Sequence, residues 1–387
     1  MDAHQMTPFI VDLFRSFLTA SPVGFLPFLR SLPRRDVLGI LLRDGKNKKS
    51  RSSTKSRNQI PWTSHDRPSR DDGHWDQFGI SEKRHVLSGV SDLNVLPTDG
   101  MDISSPLGSR KIFVRVVGFC GDNLSMHAIG GFTCSSSCGR VCRYCLTRSS
   151  ELGEVKSERH HIVRDAKTHI VQLEAIQVNP CLASPYGVPE KSPLLELESF
   201  DVMRQLPPDV MHDIFEGTFA VIMHYTLRGL VEDNVLTAGG ILRADSFPYG
   251  TNDNKNRPAK IGASFLSDSK SMRDSASQKC CLFRLMPLIF GPIVPDVNHK
   301  WELFLIFREL ADIILAEKMT SECPQYLEDK IEDCFMTFLA KYPNARVPPK
   351  LHYMVHYPRV TTELGPLRQY WCLRFEAKHQ FLQESCR

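Results

Sequence analysis

The sequence contains no run of about 18 uncharged apolar residues, the shortest stretch expected to span a bilayer as a helix, so no membrane span is expected. The N-terminal stretch PFIVDLFRSFLTASPVGFLPFLRSLP is apolar, but Asp12, Arg15 and several prolines interrupt it. It lacks the basic start and clean apolar core of a secretory leader. An excess of one charge sign is also lacking, with 48 Lys and Arg against 44 Asp and Glu. The net charge is +4 over 387 residues, too little to identify a nucleic-acid partner. No internal repeat is visible. The 12 cysteines are scattered and do not read as an extracellular disulfide framework. Reduced thiols in the cytosol or nucleus are the expectation, and there a close pair of cysteines favours a metal over a disulfide.

What is present is ordinary globular material, 42% hydrophobic and 24% charged, enough for one large or two smaller domains. Residues 1–42 read as a helical segment in short pieces, broken by Pro22, Pro27 and Pro33. Residues 43–95 read as a basic, polar linker. Its basic side chains cluster at Arg43, Lys46, Lys48, Lys49, Arg51, Lys55 and Arg57, a pattern shared by solvated linkers, DNA contacts and import signals. From Ile112 the texture changes: KIFVRVVGFCGD is β-branched and aromatic and predicts a buried strand, followed by an irregular Gly-, Ser- and Cys-rich loop to about residue 150. Residues 151–345 are mainly helical by period, with the clearest patterns over 207–230, 301–318 and 326–342, a helix over 282–294 broken at Pro287 and Gly291, and a polar loop over 245–279. Residues 346–387 hold a short helix, LHYMVHYP, stopped by Pro358, and a last helix, QYWCLRFEAKHQFLQES.

Two spaced pairs stand out. Cys142 and Cys145 in GRVCRYC form a Cys-x-x-Cys, half of a tetrahedral zinc site, whose remaining ligands must come from elsewhere. His352 and His356 in LHYMVH are four apart, so a helix would turn both imidazoles to one face. Together they would complete a closed Cys2His2 site for structural Zn2+. Other ligands compete. Cys134 and Cys138 could build a local four-Cys site with the first pair, and His160, His161, His169 and His212 are further candidates. His212 ranks first among these because it lies between Asp209 and Glu216 at helical spacing. The bland alternatives are free thiols and core histidines.

Each half-site has a carboxylate near it. Asp122, in GDNLSMH, precedes the Cys pair by 20 residues and ends the buried strand; Glu376, in RFEAKH, follows His356 by 20. Asp99 is the preferred third acid, with Asp102 beside it. Carboxylates converging from a strand end and a helix are what two hard cations, Mg2+ or Mn2+, need to promote phosphodiester transfer. Taken singly, Asp122 reads equally as a turn cap, and Glu376 as a solvated helix residue.

From about Ser104 onward the chain resembles animal transposases of the CACTA (EnSpm) superfamily. The matching blocks are SPLGS, GDNLSMHAIGGF, CRYCLT, SPYGV, FDVMRQLPPDVMHDIFEG, LMPLIFGPIVPD, and LHYMVHYPRV through WCLRFEAKH. The resemblance implies an α/β ribonuclease H-like core split by a mainly helical insertion, with a DDE triad of Asp99, Asp122 and Glu376 and zinc ligands Cys142, Cys145, His352 and His356. It implies DNA as partner (transposon ends), action as a homo-oligomer on DNA, and a nuclear location, with a cytoplasmic one as the alternative. The chain departs from the family in four places, the first being residues 1–95, which do not resemble the family's upstream region. Ser105 replaces an Asn of the family block, and the interval from Asp99 to Asp122 is too short for two strands and a helix. The sequence also stops shortly after Glu376. The core is therefore expected to be incomplete, and the chain a truncated or decayed copy with its strand-transfer activity lost. Two other readings remain: a non-catalytic, zinc-stabilised DNA-binding or interaction protein, and an unrelated helical interaction protein with a Cys-rich loop.

Overall fold

The computed structural model describes residues 37–42, 93–105, 108–135, 139–262 and 274–373, together with Leu266 and Met272. Asp99, Asp122 and the two ligand pairs fall within these residues; Glu376 and Cys138 lie outside them, as do residues 1–36 of the expected N-terminal helical segment. The segment Val37–Leu42, expected to be helical, is a strand, β1. Its VLGILL composition suits extended backbone better than helix.

The described residues divide into two compact units, the first containing 93–116 together with 196–199 and the second containing 117–195 and the described residues from 200 onward. In the first unit, β2 (Met101–Ser105) pairs antiparallel with β3 (Gly108–Ile112), Met101 opposite Ile112. A latch closes it: the Asn94 side chain donates to the Glu196 carbonyl at 2.9 Å and accepts from the Glu198 amide at 3.0 Å. The expected strand is therefore split, with a break at Phe113 before β4 (Val114–Cys120). Among the described residues strands pair only two by two.

The second unit is mainly helical and contains the core. The end of β4 is buried and is held by Gln205, whose carbonyl accepts from Phe119 N and whose side chain donates to Val117 O, each at 3.0 Å. Helix α1 (Asn123–Gly130) follows at once, capped by Asp122 and closed by Gly131, which takes the left-handed conformation at φ 75°. Helix α2 (Ala166–Val178) starts from Asp165, whose carboxylate accepts from two backbone amides.

Pro207 and Pro208 hold the chain out of helix until Asp209. The next turns, Met211–Thr218, wind with π spacing and run directly into α3 (Phe219–Glu232). Helix α4 (Ala276–Phe290) opens with a complete capping box between Ser275 and Gln278. It runs through Pro287, where a break was expected, and gives way only at Gly291 to a 3-10 turn. The lost hydrogen bond is tolerated because Met286, Ile289 and Phe290, on either side of the proline, are fully buried.

Helices α5 (His299–Ile314) and α6 (Cys323–Lys341) pack on each other and α5 packs on α3. Phe304, Phe307, Phe335 and Phe338 are completely buried, each worth roughly 1.5–3 kcal/mol of transfer free energy. Phe283 of α4 meets Phe215, Phe219, Phe304 and Phe307 with ring centroids 5.2–6.3 Å apart, mostly edge to face. Finally α7 (Pro349–Tyr353) lies against the π-wound turns, and after one 3-10 turn α8 (Tyr357–Leu364) packs on α6. Pro358, expected to stop the helix, instead sits in the first turn of α8, where its missing N–H would have had no partner.

Candidate metal centre

The structure brings the two sequence-distant pairs together. Cys142 Sγ lies 3.4 Å from His356 Nε2 and Cys145 Sγ 3.3 Å from His352 Nε2. All four ligand atoms lie within 4.8 Å of one another, and every one of these residues is at most 1% exposed. No other group of three or more His, Cys, Asp or Glu side chains among the described residues converges this way. A tetrahedron with bonds of about 2.3 Å to sulfur and 2.05 Å to nitrogen has S to N edges of about 3.6 Å. The two observed edges fall within a few tenths of an ångström of that. Two thiols and two imidazoles in an apolar interior are the donor set of a closed structural zinc site, so the group fits the residues present.

Each half-site is held by its own scaffold. Arg164 Nε donates to the carbonyls of both Cys142 and Cys145 at 3.1 Å, and its Nη2 donates to Tyr186 O at 2.7 Å. The backbone of the Cys turn pairs with the strand-like segment at Val163 through Arg164 N to Tyr144 O and Leu146 N to Ile162 O. Between the two cysteines, the Arg143 guanidinium lies 4.5 Å from the Tyr144 ring centre and donates to Asn123 Oδ1 and the Pro207 carbonyl. Tyr353 OH, on α7 beside His352, donates to Val141 O at 3.1 Å and so ties the His half-site to the Cys half-site directly. The histidines do not sit on one uninterrupted helix: His352 is on α7 and His356 ends the 3-10 turn, with ring centroids 5.3 Å apart and planes at 80°.

A second layer of partners surrounds the four ligands. Tyr144 N donates to Cys142 Sγ at 3.4 Å, and Cys145 Sγ donates to Thr147 Oγ1 at 3.1 Å. His356 Nδ1 is 2.6 Å from Glu158 Oε1, and Arg359 Nε donates to both Glu158 oxygens at 3.0 and 3.1 Å. Burial pushes the Cys142 thiol well above its ordinary range. The Cys145 thiol is pulled down by its hydrogen bond with Cys142, against burial, with His352 and His356 adding to the effect. Burial lowers His352, whereas on His356 the opposing burial is outweighed by the bonds to Cys145 and Glu158, and its pKa rises.

The remaining sequence candidates lie elsewhere. His212 is not at the cluster: it bonds Asp209 through Nδ1 and faces Glu216 Oε2 at 3.6 Å through Nε2. His169 is buried on α2, 5.8 Å from the Phe132 ring, and burial lowers its pKa to about 4. His160 and Cys134 are exposed. Asp122 is a helix cap, its Oδ1 accepting from Ser125 N at 2.7 Å. Asp99 is exposed in a turn of the first unit, and Asp102 is exposed on β2 of the same unit. Sequence reasoning missed Glu158, Thr147, Arg164 and Arg359. Glu158 is 198 residues from His356, and nothing in SERHH marks it as a histidine's partner.

It also missed a buried polar network under the Cys turn. Asp213 is fully buried and accepts from Asn123 Nδ2 at 2.6 Å and from Tyr357 OH at 2.8 Å. Burial raises its pKa from 3.8 to about 6, opposed by Arg143 and by those two hydrogen bonds. This network links α1, the π-wound turns and α8. Asp209, one turn earlier, accepts from Met211 N and Cys372 N and so fixes the chain that leads out of the described residues.

No protein-family model matches this chain, and no curated protein matches it either.

Proposed function

We propose that this chain is a zinc-clasped protein of DNA-transposon descent. In it, one structural Zn2+ bound by Cys142, Cys145, His352 and His356 holds the helical body shut, and the strand-cleavage activity of its relatives is lost. The observation that carries the zinc reading is the convergence of two thiols and two imidazoles, more than 200 positions apart in sequence, at edges of 3.3 and 3.4 Å in a dry interior. When bound, the ion neutralises the two thiolates and cross-links the half-sites. The protein's own part is to hold the Cys turn with Arg164, orient His356 with Glu158, and exclude water with the buried rings of Tyr144 and Tyr353.

Transposase descent rests on the ordered motif blocks of the sequence, whereas the buried Cys/His cluster is what the non-catalytic, zinc-stabilised reading requires. The same resemblance proposes Asp99, Asp122 and Glu376 as the ancestral triad on a ribonuclease H-like core, working through Mg2+ or Mn2+ on transposon ends, as an oligomer in the nucleus. A non-catalytic role is favoured by what Asp122 does here: its carboxylate caps α1.

The test has two stages. Zinc content of the purified full chain should be one ion per chain, lost in Cys145→Ser and in His352→Ala; absence of zinc, or its retention in both variants, overturns the clasp. Terminal-repeat DNA should then be bound but not nicked in Mg2+ or Mn2+. Divalent-dependent nicking abolished by Asp122→Asn would overturn the loss of activity, and failure to bind any DNA would overturn the transposon-end partner.

A further inference from the structure

The ligands of the clasp are not equally supported. Three of the four have an outer partner: Tyr144 N for Cys142, Thr147 for Cys145, and Glu158 for His356. His352 Nδ1 is buried without one. A histidine that gives one ring nitrogen to a metal must carry its proton on the other, and that N–H needs an acceptor in a dry site. Glu158 is built for this. It leads a 3-10 turn, Glu158–His160, that is docked on α6 by Ser157 Oγ to Glu328 Oε1 at 2.7 Å and by Arg159 to Glu328 and Gln325. Its carboxylate is clamped on the other side by Arg359, which also reaches Glu363 at 3.4 Å. The Glu158–Arg359 pair carries no net charge, so it adds none to the interior beside the ligands.

We propose that Glu158, clamped by Arg359, is the positioning residue of the clasp: it holds His356 with Nδ1 protonated and Nε2 free for the metal, and thereby sets the affinity of the site. This rests on the zinc reading above. Without Glu158, neither imidazole has an outer acceptor, and affinity falls by the 10–100-fold typical of such partners. A cavity of about 220 Å3 lined by Glu158, Arg159, Val163, Glu328, Val355 and Pro358 lies against the carboxylate. Glu158→Gln is therefore the better probe than a truncation, because it keeps the cavity the same size.

The experiment is competition of the full chain against a chromophoric zinc chelator, for wild type, Glu158→Gln and Glu328→Gln. Glu328 holds the same turn without touching His356. Zinc binding should weaken 10–100-fold in Glu158→Gln and by less than about fivefold in Glu328→Gln, the span of a partly exposed ion pair. Equal losses in the two variants, or none in Glu158→Gln, would overturn the proposal while leaving the clasp intact. A wild-type chain that takes up no zinc would overturn the clasp itself. Should Glu158→Gln fail to fold, long-range 1H–15N spectra of the zinc-loaded wild type decide the matter. His356 should show a protonated Nδ1 and a metal-shifted Nε2, and the reverse assignment refutes the idea.

Discussion

Removing the metal should cost this protein a large part of its stability, and the size of the loss can be worked from the fold. An ion held by the proposed clasp would join Cys145 to His352 across 207 positions of sequence. In the chain-entropy treatment of cross-links, closing a loop of that length removes about 18 cal/mol/K from the unfolded ensemble, or about 5 kcal/mol at 25 °C. Domains are stable by only about 5–15 kcal/mol in total, so a cross-link of that size is a third or more of the whole. For a unit of this size about 1 kcal/mol moves the melting temperature by roughly 2–4 °C, which puts the shift at roughly 10–20 °C. Differential scanning calorimetry of the zinc-loaded chain, of the same chain stripped by chelator, and of Cys145→Ser reads this directly. The stripped protein and the variant should melt together, and adding zinc back should rescue only the former. If a chain shown to be metal-free melts within about 3 °C of the loaded one, the ion does not hold the fold shut and the reasoning fails.

Three further outcomes follow from the surrounding structure. Because Asp213 is raised from 3.8 to about 6, its contribution to stability is fully present below about pH 4 and lost as the pH rises through 6. Tyr357→Phe removes a hydrogen bond to the charged form, costs about 1.5–3 kcal/mol at pH 7, and should cost less at pH 4.5; urea titrations at the two pH values check the sign. Gly187→Ala places a Cβ 2.3 Å from Arg140 O and 3.2 Å from Arg164 Nη2 at a backbone φ of 67°, so it should destabilise by more than about 1 kcal/mol and speed zinc release to a chelator through Arg164. Asp122→Ala should lower stability by about 1 kcal/mol as a lost helix cap, whereas Asp122→Asn should hold it within a few tenths, which thermal melts can separate.

The resemblance and the spacing agree on the four ligands because metal chemistry needs specific atoms, and those atoms are printed in the sequence as Cys-x-x-Cys and His-x-x-x-His. The long amphipathic helices were legible for a similar reason: 301–318 and 326–342 repeat apolar residues at helical period, and α5 and α6 bury those faces. Local signals misled where tertiary burial outweighed them. Pro287 does not break α4, because buried neighbours on both sides hold the helix together. Pro358 opens a helix where a stop is expected, and the strand expected over 111–122 is interrupted at Phe113, between β3 and β4.

By itself, then, the sequence determined which side chains have the right donor atoms for zinc, because ligand identity and short spacing are local properties. Only the tertiary structure decided that the two pairs meet, that Glu158 and Arg359 stand behind one of the histidines, and that Asp122 spends its carboxylate on a helix end. Those facts depend on contacts across 100 to 200 positions, and such contacts are set by the burial of the whole helical body rather than by any pattern in the segments that make them.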